Sequence, residues 1–182
     1  MAAEPTDDEL IARCRAGESA AFEALVRRHY RATYAVAFAV MRNTMDAEDV
    51  CQDAMVRALE RLEECRDADR FGAWLGQIAR RRALNAREAR RVRDTDELAP
   101  EMTSGADDPM RAAENEELRT KLLAGLDLLS ATQRSVVLLH DHDGRTHKEI
   151  GGIVGCSEGM SQQHLFAARK ILRRHLGDMR DG

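Results

Sequence analysis

The segment from Thr146 to Arg174 reads THKEIGGIVGCSEGMSQQHLFAARKILRR and has the pattern of two helices joined by a tight turn. Thr146 followed by Glu149 predicts a capping box, in which two side chains satisfy amides that a helix start leaves unpaired. Gly155 can adopt the left-handed conformation that ends a helix, and Ser157 can cap the next one. Two short helices around a glycine turn form the helix-turn-helix pattern.

The second helix of this segment has two chemically different faces. Apolar residues at helical spacing predict its inward side: Met160, Leu165, Ala168 and Leu172. Amides and cations mark the outer side: Gln162, Gln163, Arg169, Lys170, Arg173 and Arg174. Such groups on one rigid helix can reach base edges and phosphates in a major groove. An ordinary amphipathic helical hairpin is the alternative that this segment alone leaves open.

Composition predicts an all-α protein, and the length leaves room for one to two small domains. The 182 residues include only 3 prolines and 4% aromatic residues, and alanine, leucine, arginine and glutamate are abundant. No apolar run reaches the roughly 18 residues of a membrane-spanning helix. The N-terminal sequence MAAEPTDDEL is acidic and unlike a secretion signal. We therefore expect a cytoplasmic protein with no membrane insertion.

The cysteines and histidines do not predict a metal site or cofactor. Cys14, Cys51, Cys65 and Cys156 are far apart, without the CxxC spacing of zinc ribbons or thioredoxin-like sites. In a cytosolic protein they are expected to be reduced and partly buried, although a redox-sensing or metal-sensing role is an alternative. His140, His142 and His147 lie close together in the sequence, but no carboxylate or cysteine completes a metal-ligand set with them at diagnostic spacing. We therefore expect these histidines to be solvated.

Charge along the chain is segregated, which the net charge of -4 hides. Residues 80–93 contain seven arginines and one glutamate, a net charge of +6. Residues 94–118 contain nine acidic residues and one arginine, a net charge of -8. The alternation predicts a polyanion-binding face, the arginine run at 80–93, beside an acidic linker.

Helical periodicity covers most of the remaining chain. Helices are expected over 7–16, 19–42, from 46 to about 64, from 71 into the arginine run, over 110–129, and up to the glycine at 144. In the helix expected from 46 to about 64, the core positions are Val50, Ala54, Leu59 and Leu62. In the helix expected over 110–129, they are Leu118, Leu122, Leu126 and Leu129. Residues 94–109 mix acids, Pro, Gly and Ser without periodicity, which predicts a flexible linker at a domain boundary.

An acidic, polar ridge is predicted on the third helix, formed by Asp46, Asp49, Gln52 and Asp53. Carboxylates at this spacing could imitate a metal site, but neither a histidine nor a second carboxylate helix accompanies them. A surface that docks another protein is the better interpretation. No glycine-rich phosphate loop or nucleophile elbow is found, so we do not expect an enzyme.

The arginine run has three possible explanations. The first is a solvated helix face, but the charge density of the run is high for that. The second, contact with phosphates, is favoured because the forked guanidinium group of arginine matches phosphate oxygens. Phe71 and Trp74 just upstream add a third possibility, because aromatic side chains beside a basic helix can hold the unstacked bases of a single strand. For Trp74, plain core packing is an equally weighted alternative.

Three segments in this order resemble the extracytoplasmic-function (ECF) group of bacterial sigma factors. DAEDVCQDAMVRAL at 46–59 is similar to the helix with which that family binds core RNA polymerase. FGAWLGQIARRRALNAREARR at 71–91 is similar to its helix for promoter melting and -10 recognition, and residues 126–176 to its -35-reading domain. The resemblance covers about 8–93 and 118–176.

The resemblance implies a role for each matching position. The ridge residues Asp46, Asp49, Gln52 and Asp53 would dock on the clamp helices of the polymerase beta-prime subunit. Contacts to the -10 strand would come from Trp74, Arg80, Arg81, Asn85, Arg87, Arg90 and Arg91. Contacts to the -35 duplex would come from Gln162, Gln163, Phe166, Arg169, Lys170 and Arg173. The linker would thread toward the RNA exit path.

Some positions depart from the family pattern. The family commonly has Asn where Arg81 stands. It usually has Lys or Arg at the positions of Gln162 and Ala167, so the affinity of this chain for phosphates at the -35 element should be weaker. The glutamines offer bidentate contacts to adenine instead, each worth roughly 1–3 kcal/mol of discrimination. Gly151 and Gly152 should each weaken the first helix of the motif by roughly 1 kcal/mol relative to alanine.

The sequence thus predicts a sigma factor that binds core RNA polymerase (beta-prime and beta subunits) and promoter DNA, both duplex and melted strand. The expected organisation is a region 2-like domain at 1–93, an acidic linker at 94–117 and a region 4-like helix-turn-helix domain at 118–182. An anti-sigma factor is a further partner implied by the family. The alternative is a cytosolic helix-turn-helix interaction protein or thiol-based sensor that acts without polymerase.

Overall fold

The computed structural model describes residues 4–93 and 109–177, with side chains over 4–91 and 117–177. These residues form eight α-helices and no strand, as composition predicted. The helices are α1 (Asp7–Arg15), α2 (Ser19–Met41), α3 (Thr44–Glu60), α4 (Phe71–Arg93), α5 (Pro109–Asp127), α6 (Ala131–Val137), α7 (His147–Val154) and α8 (Glu158–Gly177). Two 3-10 turns, Leu62–Glu64 and Ala68–Arg70, join α3 to α4, and a π-helical turn, Leu138–His142, extends α6.

Side-chain caps set the helix starts of the helix-turn-helix as the sequence predicted. The capping box before α7 is confirmed: Glu149 N donates to Thr146 Oγ1 over 3.3 Å, and Thr146 N donates to Glu149 Oε2 over 2.9 Å. Gly155 ends α7 with a φ of 82°. Ser157 Oγ accepts from the amide of Met160 over 3.2 Å. Local chemistry therefore determines both ends of the turn.

The first domain packs α2, α3 and α4 against one another, with α1 lying across α2. Its largest buried side chains are Leu10, Ile11, Leu25, Val36, Val40, Phe71 and Leu75. Small residues fill the closest helix contacts: Ala47, Ala54, Ala58, Ala79 and Ala83 are all completely buried. Alanine at these points lets the backbones of three long helices approach closely.

The second domain is built from α5 to α8 and buries Leu129, Val136, Leu139, Ile150 and Leu165. These side chains belong to the same continuous apolar cluster as most of those of the first domain. The contact between the domains is formed mainly by α4 with α7 and by α2 with α6. The sequence did not predict this contact.

Four leucine and methionine positions that were predicted to face inward are instead exposed. Leu59 is 49% exposed because the neighbouring Ala58 takes the buried position, and Met160 is 44% exposed because Ser161 does so. On α5, Leu118 and Leu122 are 53% and 46% exposed, whereas Leu126 and Leu129 turn toward the core. Close helix packing selects small residues, which hydropathy alone does not rank as core.

Several predictions concern residues outside the described part. The linker prediction for 94–117 falls largely there, and the domain boundaries stay predictions. Within that segment α5 already begins at Pro109. No helix of the described residues is long and apolar enough to cross a membrane.

A partly buried polar cluster attaches α1 to α2. Asp7 accepts from Arg28 over 2.6 Å and lies 2.8 Å from Nε2 of His29, whose ring meets Phe71 edge-on. Burial alone would raise the pKa of the Asp7 carboxyl, but the hydrogen bonds and charges of His29 and Arg28 outweigh it and hold the pKa below its ordinary value. The ionised carboxylate is thus the form that stabilises this corner.

Asp7→Asn is expected to lower the free energy of unfolding by about 1–2 kcal/mol at neutral pH. Because the folded-state pKa lies below the unfolded value of about 4, the stabilisation is complete above that value and is lost as the pH falls through the folded-state pKa. The variant should therefore show a flatter acid limb when urea unfolding is measured between pH 3 and pH 7.

Asp8→Asn is the matched control, because Asp8 is exposed in the same helical turn. An equal loss of stability in the two variants would contradict a specific role for Asp7.

Candidate nucleic-acid and polymerase interface

Helix α4 presents three different faces along its length. Ala73, Gly76 and Gln77 face α7 of the second domain. Arg82 and Arg90 reach back to α3. Four of the polar positions predicted for -10 contact are exposed: Arg81, Asn85, Arg87 and Arg91. Helix α4 therefore contributes to the contact with α7, to the ion pairs with α3 and to an exposed basic surface.

The structure divides the predicted acidic ridge into two pairs of residues. Asp53 forms an ion pair with Arg82, and Asp46 forms one with Arg90. Because α3 and α4 run antiparallel here, these pairs make a two-rung ladder between the helices. Asp49 and Gln52 point away from α4 and are exposed.

Apolar side chains that the sequence analysis did not assign to a site extend the exposed face of α3. Met45 is 74% exposed, Val56 54% and Leu59 49%. Together with Asp49 and Gln52 they form a stripe at helical spacing, here called the α3 stripe. An acidic centre flanked by exposed apolar side chains is typical of a protein-docking surface. Relative exposure, which the sequence does not supply, was needed to find it.

Trp74 lies half-buried, with its ring centroid 5.9 Å from that of Phe71. It lines a shallow pocket of about 270 Å³ between the 3-10 turns and the start of α4. Arg66 and Arg70, which the sequence analysis did not single out, also line this pocket, together with Glu64, Cys65, Asp67, Ala73 and Gln77. An aromatic wall with cations at its rim can hold an unstacked base and its phosphate. Trp74 therefore packs against the core and also lines this pocket.

Two predicted -10 cations, Arg80 and Arg90, are less exposed than the others. Arg90 pairs with Asp46, and Arg80 lies near Cys156 at the boundary between the domains. The side chain of Arg93 lies outside the described residues. The exposed cations of α4 are therefore Arg81, Arg87 and Arg91, the last bonded to Glu88 over 3.1 Å.

All six residues predicted to read a duplex lie on one exposed face of α8: Gln162, Gln163, Phe166, Arg169, Lys170 and Arg173. Phe166 is 76% exposed, which is unusual for a phenylalanine. The opposite face of α8 is anchored by Leu165, Ala168 and Ser161. Ser161 Oγ lies 3.0 Å from Nδ1 of His147, which ties α8 to the start of α7.

Arg169 is held by an acidic side chain of its own domain. Its guanidinium donates to the two carboxylate oxygens of Asp141 over 2.5 and 3.3 Å. Burial alone would raise the pKa of Asp141, but its bonds to Arg169 and His140 outweigh burial and keep the pKa below its ordinary value. A phosphate that binds Arg169 must compete with this carboxylate.

The four cysteines are unpaired, and two of the histidines stack on each other. All four thiols are free, and burial raises their pKa values, that of Cys51 to about 12. Thiols, not thiolates, are then the dominant form at neutral pH, which disfavours a thiol-based sensor. His140 and His147 stack with centroids 4.8 Å apart. Among the described residues, no group of three or more His, Cys, Asp or Glu could hold a metal ion.

The ion-pair ladder generates a stability prediction. Asp53→Asn should lower the free energy of unfolding by about 0.5–1 kcal/mol, since it removes a partly exposed ion pair that holds α4 on α3. Arg82→Gln should cost a similar amount, and the double variant little more than either single one. Urea unfolding of the four proteins measures the coupling.

Asp49→Asn is the control, since Asp49 lies one turn away on the exposed side of the same helix. It should change stability by less than about 0.5 kcal/mol. Additive effects of Asp53→Asn and Arg82→Gln would contradict the ladder.

Comparison with known proteins shows the family to which the chain is similar. The chain matches the family Sigma-70 region 2 over residues 25–93 and the family Sigma-70, region 4 over residues 119–172. It is 30% identical to the ECF RNA polymerase sigma-E factor of Escherichia coli K12 over 184 residues, covering 94% of this chain and 95% of the relative. It is 24% identical to the RNA polymerase sigma-H factor of Pseudomonas aeruginosa, covering 97% of this chain and 96% of the relative.

Two solved structures share the fold. The structure of CnrH in complex with the cytosolic domain of CnrY matches with a TM-score of 0.68 and 28% identity, covering 96% of this chain and 99% of CnrH. The sigma factor RpoE in complex with the anti-sigma factor NepR from Bartonella quintana matches with a TM-score of 0.64 and 23% identity, covering 86% of this chain and 96% of RpoE.

Proposed function

Because this chain belongs to the ECF group of RNA polymerase sigma factors, we propose that it binds core RNA polymerase and directs it to promoters through separate -10 and -35 contacts. The resemblance that the sequence analysis identified is confirmed by both family matches and by the relatives. The observation that carries the residue assignments is the separation of three exposed surfaces: the α3 stripe, the basic face of α4 and the polar face of α8.

Polymerase docking is assigned to the α3 stripe. Asp49 and Gln52 remain its polar centre, as the sequence predicted, and Met45 and Val56 add exposed apolar area on either side. We assign Asp46 and Asp53 a positioning role instead, since each is paired with an arginine of α4. The ladder would hold the docking helix and the DNA-binding helix in one orientation.

Recognition of the -10 strand is assigned to the exposed residues of α4 together with Trp74. Arg81, Asn85 and Arg87 form a polar surface that leads from the pocket beside Trp74 toward the linker. Arginine supplies phosphate contacts there, and Trp74 supplies stacking for a displaced base. The role requires binding and strand separation but no bond chemistry by the chain.

Recognition of the -35 duplex is assigned to α8. Gln162 and Gln163 can donate and accept in the major groove, and the exposed ring of Phe166 offers an apolar contact for a thymine methyl group. Lys170 and Arg173 reach the phosphates, while Arg169 is partly neutralised by Asp141. This surface has few free cations, so its affinity for DNA should depend on polymerase.

An anti-sigma factor is a further proposed partner, in line with the RpoE–NepR complex among the solved relatives. An apolar groove of about 510 Å³ lies where the domains meet and could seat one face of a partner helix. Its walls include the exposed Tyr30, Leu118 and Leu122. A cytoplasmic location is part of the proposal, since core RNA polymerase would be met there.

The proposed function predicts that promoter affinity depends on polymerase. The chain alone should bind promoter DNA weakly and without strong sequence preference, since its net charge is -4 and its cations are partly paired. With core polymerase, band-shift and run-off assays over a small promoter library should show specific binding and initiation. Equal DNA affinity with and without polymerase would instead identify an independent helix-turn-helix regulator.

Asp49→Arg should weaken binding to core polymerase by tenfold or more, because it reverses the charge at the centre of a docking surface. Circular dichroism should be unchanged, as Asp49 is exposed. Binding is measured by co-purification and by fluorescence titration with core enzyme.

Glu23→Arg makes the same charge reversal on an exposed position of α2 and serves as the control. If the Asp49 and Glu23 variants bind polymerase equally well, the α3 stripe is not the docking surface.

A further inference from the structure

The pocket beside Trp74 has one helical wall and one loop wall. Trp74 and Gln77 belong to α4, whereas residues 64–67 and Arg70 belong to the segment 61–70 that joins α3 to α4, here called the α3–α4 loop. Binding sites built on helices are held more precisely than sites built on loops. The shape of this pocket therefore depends on what holds the α3–α4 loop in place.

Backbone hydrogen bonds within the α3–α4 loop are local. Three of them each span three residues: Glu64 N to Arg61 O, Cys65 N to Leu62 O and Arg70 N to Asp67 O. Such bonds shape each turn but do not fix the loop relative to the rest of the domain. The side chains of Leu62 and Cys65 are buried and anchor the first half of the loop. The position of its backbone therefore depends on contacts from other elements.

Arg15, in the last turn of α1, supplies such a contact. Its Nη2 donates to the carbonyl oxygen of Leu62 over 3.1 Å and to that of Cys65 over 2.8 Å. Its Nε lies 3.5 Å from a carboxylate oxygen of Glu63, and the Arg15 side chain is 35% exposed. Hydrogen bonds from a charged donor are stronger than those between neutral groups. Arg15 thus holds the loop backbone at two carbonyls that lie 47 and 50 residues further along the chain.

Helix α1 is itself attached to the domain, so Arg15 acts from a fixed position. Leu10 and Ile11 are buried in the core, and Asp7 bonds to two side chains of α2. Helix α1 contacts α2 and also both 3-10 turns of the α3–α4 loop. The sequence analysis assigned no role to Arg15, because the carbonyls that it holds are distant in the chain.

We propose that Arg15 is a positioning residue for -10 recognition: by holding the carbonyls of Leu62 and Cys65, it fixes the loop wall of the pocket opposite Trp74, so that one displaced base is held in a defined orientation. This role rests on the proposed function, which assigns -10 recognition to Trp74 and α4. The effect of Arg15 is transmitted through the positions of Cys65 and Arg66, which line the pocket.

Fluorescence of the free protein tests the positioning. Trp74 is the single tryptophan of the chain, so its emission reports on this pocket. Arg15→Gln removes the charged donor, and quenching of Trp74 by acrylamide should rise about twofold as the loop wall loosens. Arg13→Gln is the matched control and should leave quenching unchanged, because Arg13 lies in the same helix but pairs with Glu18.

A base-by-base measurement tests recognition. The probe is the single strand spanning the -10 element of a promoter that the wild-type protein transcribes with core polymerase, with each base in turn replaced by an abasic site. Binding by the wild-type holoenzyme should fall about tenfold at the one base that stacks in the pocket. With Arg15→Gln that loss should shrink to about twofold, while the losses at other positions stay the same.

Arg15→Lys is a second variant, which keeps the positive charge and provides the test should Arg15→Gln fail to fold. A lysine ammonium is a point charge and does not reproduce the arginine fork, so an intermediate loss at the same base is expected. Discrimination among bases of the -35 element, measured with the same proteins on duplex DNA, should not change. That readout separates a positioning role from a general loss of structure.

The possible results have different consequences. Equal base-by-base profiles for wild type and both Arg15 variants would overturn the positioning role, as would a loss of affinity that is uniform over the -10 and -35 positions. A wild-type protein that supports no transcription with core polymerase on any promoter tested would overturn the proposed function, and the positioning role with it.

Discussion

The packing of α4 against three neighbours is the constraint on which the rest of the structure depends. Its apolar side, including Phe71, Leu75 and Ala79, is buried against α2 and α3. Its ion pairs with α3 hold the basic half of the helix, and its glycine-containing side receives α7. Every proposed binding surface is positioned relative to this one helix.

Several charged side chains of this molecule form ion pairs within the protein, so they are only partly available to a partner. Acids and bases that are far apart in sequence meet as Asp46 with Arg90, Asp53 with Arg82, and Asp141 with Arg169. Partly exposed pairs of this kind stabilise the fold only modestly, but they lower the net field that DNA or polymerase meets. We therefore expect the affinity of the free protein for DNA to be low and to rise when core polymerase is bound.

Sequence reasoning succeeded where the determinants are local. The capping box at Thr146, the left-handed Gly155 and the cap at Ser157 involve groups within four residues, so their chemistry can be read directly. The polar face of α8 was likewise predicted, since helical spacing alone places Gln163 and Lys170 on one side. It failed at Leu59 and Met160, where a small neighbour occupies the buried position because another helix approaches closely.

The sequence by itself determined the helices, their caps, the segregation of charge and the family to which the chain belongs, because each depends on residues close together in the chain. Only the tertiary structure decided which acids remain available for docking and that α7 lies on α4. Those outcomes depend on which side chains of distant helices meet, such as Arg82 with Asp53 and Ile153 with Gly76. Helical periodicity specifies the face on which a residue lies, but the partner of that face is set by packing across the whole molecule.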